Sequence, residues 1–158
     1  MEQYRMYHLV MYNISPIQQG IQAYHSAIEY ALRYSNTAEF QQWARNDKTV
    51  IILNGGTSHN FEYEISKLGT MEKHCLVLVE HGIKFAVFHE PDLSFSTAAI
   101  AFLVPAKVWD KEAYPDWESL SPEEQAGTGL ADYDDYVNKV IGEENEWMRN
   151  FLSQFRLA

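Results

Sequence analysis

Between residues 15 and 34 apolar side chains recur at the helical interval. At about 100° per residue, Ile17, Ile21, Tyr24, Ile28 and Leu32 share one stripe, and Gln18, Gln22, His25 and Glu29 lie immediately beside it. Ser15 followed by Pro16 is a helix start: the hydroxyl caps orphan amides, and proline at the first turn forfeits no hydrogen bond. The stretch 4–12, rich in aromatic and branched residues, reads as a buried strand. His25 is then placed about three turns into the helix that follows the first strand.

Further along, Asn36-Thr37 caps a second helical piece, AEFQQWARN, whose apolar side is Phe40 and Trp43. TVIIL at 49–53 predicts a short strand buried on both faces. A helical pair follows, over 59–68 and 70–81, closed by Gly82. Strands are predicted at 83–89 and 97–104, separated by a turn that Pro91 enforces. The order β-α-β-α-β-β implies an α/β fold: a four-stranded mixed sheet with helices on both faces. Its expected core is Ile21, Tyr24, Ile28, Val50, Ile52, Phe85, Val87, Ile100 and Phe102.

From Pro105 the texture changes. Ser121-Pro122-Glu123-Glu124 has the form of a capping box. A last helix over 131–155 aligns Tyr133, Tyr136, Val137, Val140, Trp147, Met148, Phe151, Leu152 and Phe155, with Gly142 as a kink. The division is a core at 1–104 and an acidic helical extension at 105–158. The extension's apolar side needs a cover, either this chain's own sheet or a second copy, and a homodimer is the favoured expectation.

The chain has 158 residues, enough for one domain with a sizeable core. No apolar run approaches the roughly 18 residues of a membrane span, and the N-terminus lacks a signal-peptide pattern. The single cysteine, Cys75, excludes an internal disulfide and suits a reducing compartment, so a soluble cytoplasmic protein is expected. Net charge is −10. Residues from Pro105 onward contribute five Lys or Arg against twelve Asp or Glu, a net of −7. No cluster of basic residues stands ready to displace counterions, which argues against non-specific nucleic-acid binding.

Few motifs carry chemistry. Asn54-Gly55-Gly56-Thr57 leaves a strand and precedes a helix, where backbone amides can receive a phosphate, but it lacks the Walker lysine and the GxGxxG spacing. It reads as a plain turn or as a cradle. The six histidines show no metal-site spacing, no Gly-x-Ser-x-Gly elbow occurs, and neither a metal nor a cofactor is implied. His89-Glu90-Pro91-Asp92 ends a strand, where its acids either partner a helix-borne histidine in proton transfer or cap the turn.

The sequence of strand, helix with Gln22-x-x-His25-x-Ala27, Trp43 segment, TVIIL strand, helix, Glu90-Pro91-Asp92 and Thr97-Ala98-Ala99-Ile100-Ala101 resembles the type-2 peptidyl-tRNA hydrolases over about residues 4–104. The resemblance implies an often dimeric protein acting on the ester between a peptide and the terminal ribose of tRNA. Small relatives of that fold occur in phage genomes, and this chain looks more like those.

In that reading His25 and Asp92 handle protons while a bound water attacks the ester, and Gln22 completes the family's Gln-x-x-His. Gln18, Asn54, Gly55, Thr57, Glu90 and Thr97 are the candidate ligand-binding residues. Two departures are plain. Gln18 stands where the family has a lysine, and the loop between the aspartate and the threonine is much shorter. An alternative therefore stands beside hydrolysis: a cleft without chemistry that sequesters a small nucleotide-like or peptide ligand, in a counter-defence role; the expected partner is a nucleotide-like small molecule or, for a hydrolase, the aminoacyl or peptidyl end of tRNA. A protein-interaction module working through the acidic tail is a further one.

Overall fold

In the computed structural model, residues 2–59 and 68–158 are described. The helix expected over 59–68 falls mostly outside them. The chain forms two compact units: Gln3–Leu103 together with Phe155–Ala158, and Val104–Gln154.

The first unit is a four-stranded mixed sheet in the order β2-β1-β4-β3, with β1 at Tyr4–Met11, β2 at Val50–Gly56, β3 at Phe85–Glu90 and β4 at Ser96–Pro105. β1 and β2 are parallel, with His8 opposite Ile52. β3 and β4 are antiparallel, with Val87 opposite Ile100. Helix α1, Pro16–Tyr34, returns the chain from β1, and Ser15 caps it by accepting from the Gln18 amide. The short helix α2 is Ala38–Gln42, followed by a wider turn at Trp43–Asp47, and α3 is Thr70–Glu80.

Two differently built layers flank the sheet. On one side Met6 packs with Tyr30, Ala86 and Ala101, while Val10 packs with Ala23 and Ala99, so α1 sits on a floor of small residues. On the other, Tyr7 stacks with Phe102, and Met71 of α3 lies close to Leu9 and Gly55. Strand alternation assigns the two sets: even-numbered residues of β1 face α1, odd-numbered ones face away.

This arrangement overturns one expectation. The helix α1 turns Gln22, Ala23, Ser26 and Tyr30 inward and leaves its apolar stripe in water: Ile17 is 73% exposed, Ile21 41%, Tyr24 64%, Ile28 44% and Leu32 76%. Val50 is likewise exposed. Ile21, Tyr24, Ile28 and Val50 are therefore not core residues, whereas Ile100 and Phe102 are fully buried. The physical reason lies in the partner surface. Ala86, Ala99 and Ala101 leave room only for a close helix approach, which the small residues of the 22/23/26 face permit and a row of isoleucines does not.

A further element went unread in the sequence. After the last helix the chain returns to the edge of β2: Leu157 bridges Leu53, the Asn54 amide donates to the Arg156 carbonyl at 2.9 Å, and the Ala158 amide donates to the Ile52 carbonyl at 3.0 Å. The Phe155 ring meets that of His74 edge-on at 4.8 Å.

The second unit holds helices α4 at Ala106–Trp109, α5 at Pro122–Gly127, α6 at Tyr133–Tyr136 and α7 at Glu143–Ser153. The capping box at Ser121 and Glu124 forms. The helix expected over 131–155 runs in pieces, Tyr133–Tyr136, Val137–Ile141 and Glu143–Ser153, and changes direction at Gly142, where the kink was expected and whose φ of 91° favours glycine. Arg149 ties this unit together, donating to the carbonyls of Lys107 (3.1 Å) and Tyr114 (2.9 Å) and to Asp116 (2.7 Å). Hydrogen bonding from Lys111, then from Arg149, holds the Asp116 carboxyl below its ordinary range. Tyr136, Val137, Ile141, Met148 and Phe151 are buried within the single chain, which removes the reason for seating a second copy on the tail.

Candidate functional site

The inward face of α1 runs along β3, and their side chains meet in sequence. Tyr30 packs at Ala86, His25 stacks on Phe88 with ring centroids 4.4 Å apart, and Gln22 reaches Glu90. Residues 86, 88 and 90 share one face of the strand by alternation. The helix presents 30, 25 and 22 to them in turn.

At the Glu90 end the contacts are polar. Gln22 is 4% exposed, and its Nε2 donates to Glu90 Oε2 at 2.8 Å. The other carboxylate oxygen, Oε1, accepts from the Asp92 amide at 3.2 Å and so caps the short turn Pro91–Leu93. Gln22 Oε1 is buried and meets no donor among the described residues. A buried acceptor left without a partner costs about 1–3 kcal/mol, so it is a feature a fold keeps only with a reason.

The turn beyond Glu90 is unusual in its backbone. Ser94 and Phe95 have φ of 54° and 59°, the left-handed region that non-glycine residues enter at a cost of about 1 kcal/mol or more each. The Phe95 amide donates to the Glu90 carbonyl at 2.9 Å, and the Phe95 carbonyl lies 3.2 Å from His89 Nδ1. Phe95, pinned in this way five residues after Glu90, is 67% exposed.

The remaining candidates are placed as follows. His25 makes ring contacts with Tyr24 and Phe88 and no hydrogen bond among the described residues. Asp92 joins the cluster through its backbone, with its side chain exposed. Gln18 is exposed in the first turn of α1. Thr97 is buried opposite His89 on β4, at a bulge in the register.

Asn54, Gly55 and Thr57 are occupied differently. Asn54 Oδ1 accepts from the Gly56 amide at 3.0 Å, the Gly55 carbonyl accepts from Thr70 Oγ1 at 2.9 Å, and the Thr57 amide donates to Thr70 Oγ1 at 2.8 Å. His74 Nε2 also lies 3.0 Å from the Gly55 carbonyl. The amides a phosphate would use are spent on fastening β2 to the start of α3. The turn therefore acts as a clasp.

Comparison with protein-family models, with curated proteins and with solved structures finds no match. The site must be read from its own chemistry.

A second polar feature lies under α1. Ser26 Oγ donates to the Ala23 carbonyl at 2.9 Å and lies 2.8 Å from His8 Nδ1. The hydroxyl has one proton, already given away, so Nδ1 carries the imidazole hydrogen. Burial pushes the His8 pKa down from 6.5 to about 4, because the cation cannot be solvated there. His8 is thus a neutral structural donor, and nothing in the sequence pattern distinguished it from its apolar neighbours on β1. No group of three or more His, Cys, Asp or Glu among the described residues is arranged to hold a metal ion, and no described helix is long and apolar enough to cross a membrane.

Proposed function

We propose that this protein binds the amine-bearing, aminoacyl end of a nucleotide-linked ligand, at the turn that joins Gln22 to Glu90. The reading follows from the resemblance to peptidyl-tRNA hydrolases and is carried by one observation, the unpartnered Gln22 carbonyl beside a carboxylate. An ammonium group offers three donors and no acceptor, and matches a pair of acceptors of which one is charged. Neither Lys nor Arg occurs between residues 15 and 32 or between 85 and 106, so the two stretches that build the site supply no cation for a phosphate. The exposed Phe95 ring supplies a face on which a base stacks, an interaction of about 1–3 kcal/mol per base.

Binding is favoured over ester hydrolysis. A histidine base needs a group that fixes its ring through the second nitrogen, and among the described residues His25 makes ring contacts with Tyr24 and Phe88 and no hydrogen bond. Gln18 in place of a lysine removes the cation that would stabilise a developing oxyanion.

The probe is a 3′-aminoacylamino nucleoside, whose amide link resists hydrolysis, titrated by calorimetry. The full chain should bind it, N-acetylation of the probe should weaken binding at least tenfold, and Glu90→Gln should do the same. Equal affinity for the acetylated probe would refute the ammonium site. An ester-linked version incubated with the wild type and with His25→Ala reports turnover. Release that depends on His25 would make the protein a hydrolase instead.

A further inference from the structure

We infer that the outward face of α1 is a homodimer interface, formed with a second copy of the same chain. The motivation is the inversion of α1, which puts the chain's longest apolar stripe in water. Fully open residues of these sizes offer about 170–260 Å² each, so the five stripe residues and Val50, backbone included, leave on the order of 700 Å² exposed. That exceeds the largest apolar patch of a typical monomer, about 300–600 Å². It also approaches the roughly 800 Å² that each partner contributes to a standard interface.

The shape of this face selects the occupant. Beside the bulky row runs a groove of about 410 Å³, set between α1 and β2 and walled at one end by Phe40 and Trp43. Along the helix Gly20, Ala23, Ala27 and Ala31 form its floor and Tyr24 and Ile28 of the bulky row form its rim, while Val50 and Ile52 line it from β2. A ridge of large residues and a furrow of small ones thus lie side by side on one helix. A two-fold interface requires one patch to complement itself, and this patch can do so by laying each copy's ridge in the other's furrow.

Charge points the same way. The chain carries −10 overall, so most ways of bringing two copies together are opposed by repulsion. The groove is lined by no Asp, Glu, Lys or Arg, and α1 holds one acid and one base, Glu29 and Arg33. Its face carries no net charge. Gln22 and Glu90 lie on the opposite, sheet-facing side of the helix, so pairing through the stripe leaves the proposed ligand site open.

Sedimentation equilibrium or light scattering on the full chain across a dilution series tests this. The expected result is a mass of twice 18.3 kDa at high concentration, falling toward 18.3 kDa on dilution. Ile28→Glu, at a position already in water, should weaken association at least tenfold. Gly20→Gln should do likewise by filling the furrow, since a Cβ at Gly20 meets nothing within 4 Å of its own chain. Thermal unfolding of the dilute variants should match that of dilute wild type, which separates lost pairing from lost folding. A wild type that stays at 18.3 kDa throughout would overturn the inference, as would a dimer that survives both substitutions.

Discussion

The two faces of the sheet bury residues of different size, and that difference decides what each helix does with its own apolar side chains. Away from α1, the sheet offers Leu9, Ile100 and Phe102, all fully buried, and α3 adds Met71. Toward α1 the strands β3 and β4 offer Ala86, Ala99 and Ala101, set beside Met6 and Val10 of β1. A floor of large residues is a conventional core. The alanines of β3 and β4 draw the helix in close and favour small or polar residues such as Gln22, Ala23 and Ser26 for the contact, with Tyr30 the large inward residue, and the helix's bulky stripe is turned outward. The lesson is that amphipathicity tells which sides of a helix differ, and only the partner surface tells which side is inside.

The largest contrast should come from truncating one residue on each side of this divide. Phe102→Ala, in the large-residue layer, should cost about 3–5 kcal/mol in urea unfolding. Ile28→Ala, on the outward stripe, should cost less than about 0.5 kcal/mol when the chain is dilute. Equal losses at the two sites would erase the distinction.

Acid should find the alanine side first. His8 is neutral in the folded chain and has a pKa near 4, whereas the unfolded chain takes up the proton near 6.5. Its contribution is therefore full above pH 6.5 and is lost as pH falls toward 4, by about 3 kcal/mol in total. His8→Gln should flatten the stability profile across that window. A wild-type profile already flat between pH 6.5 and 4 would mean that His8 is solvated.

Enlarging the floor is the next effect in size. Ala99→Leu should push α1 off the sheet and lower stability by about 1–3 kcal/mol, while Val87→Leu on the same sheet should be better tolerated. Smallest is Ser15→Ala, which removes the cap from α1 and should cost about 1 kcal/mol, read from the thermal midpoint.

Much of the fold was legible because strand signals are local. Apolar runs bounded by Asn, Gly and Pro placed all four strands within about three residues, and Ser15-Pro16 placed the start of α1. The orientation of α1 was not legible, because it depends on Ala99 and Ala101, more than sixty residues away in sequence. The return of Arg156 and Leu157 to β2 was hidden for the same reason. In the site, His25 and Glu90 were picked out by their type and their places on a helix and at a strand end, and Gln22 by the resemblance to a Gln-x-x-His motif. The exposed ring of Phe95 was missed, because nothing in a Leu-Ser-Phe-Ser run announces two successive left-handed residues. Asn54, Gly55 and Thr57 had the order of an anion cradle, yet Thr70 and His74 claim their polar groups.

The central claim, that α1 faces inward with its small and polar residues, is tested most directly by thiol labelling of the native chain. Burial pushes the Cys75 thiol up to about 12, so the wild type supplies a low background. In dilute protein, Ile28→Cys should react within about tenfold of a free thiol, and Ser26→Cys should react only as the chain unfolds. Raising the concentration should then protect position 28 alone. A protected thiol at 28 together with a reactive one at 26 in dilute protein would show that the helix is turned the other way.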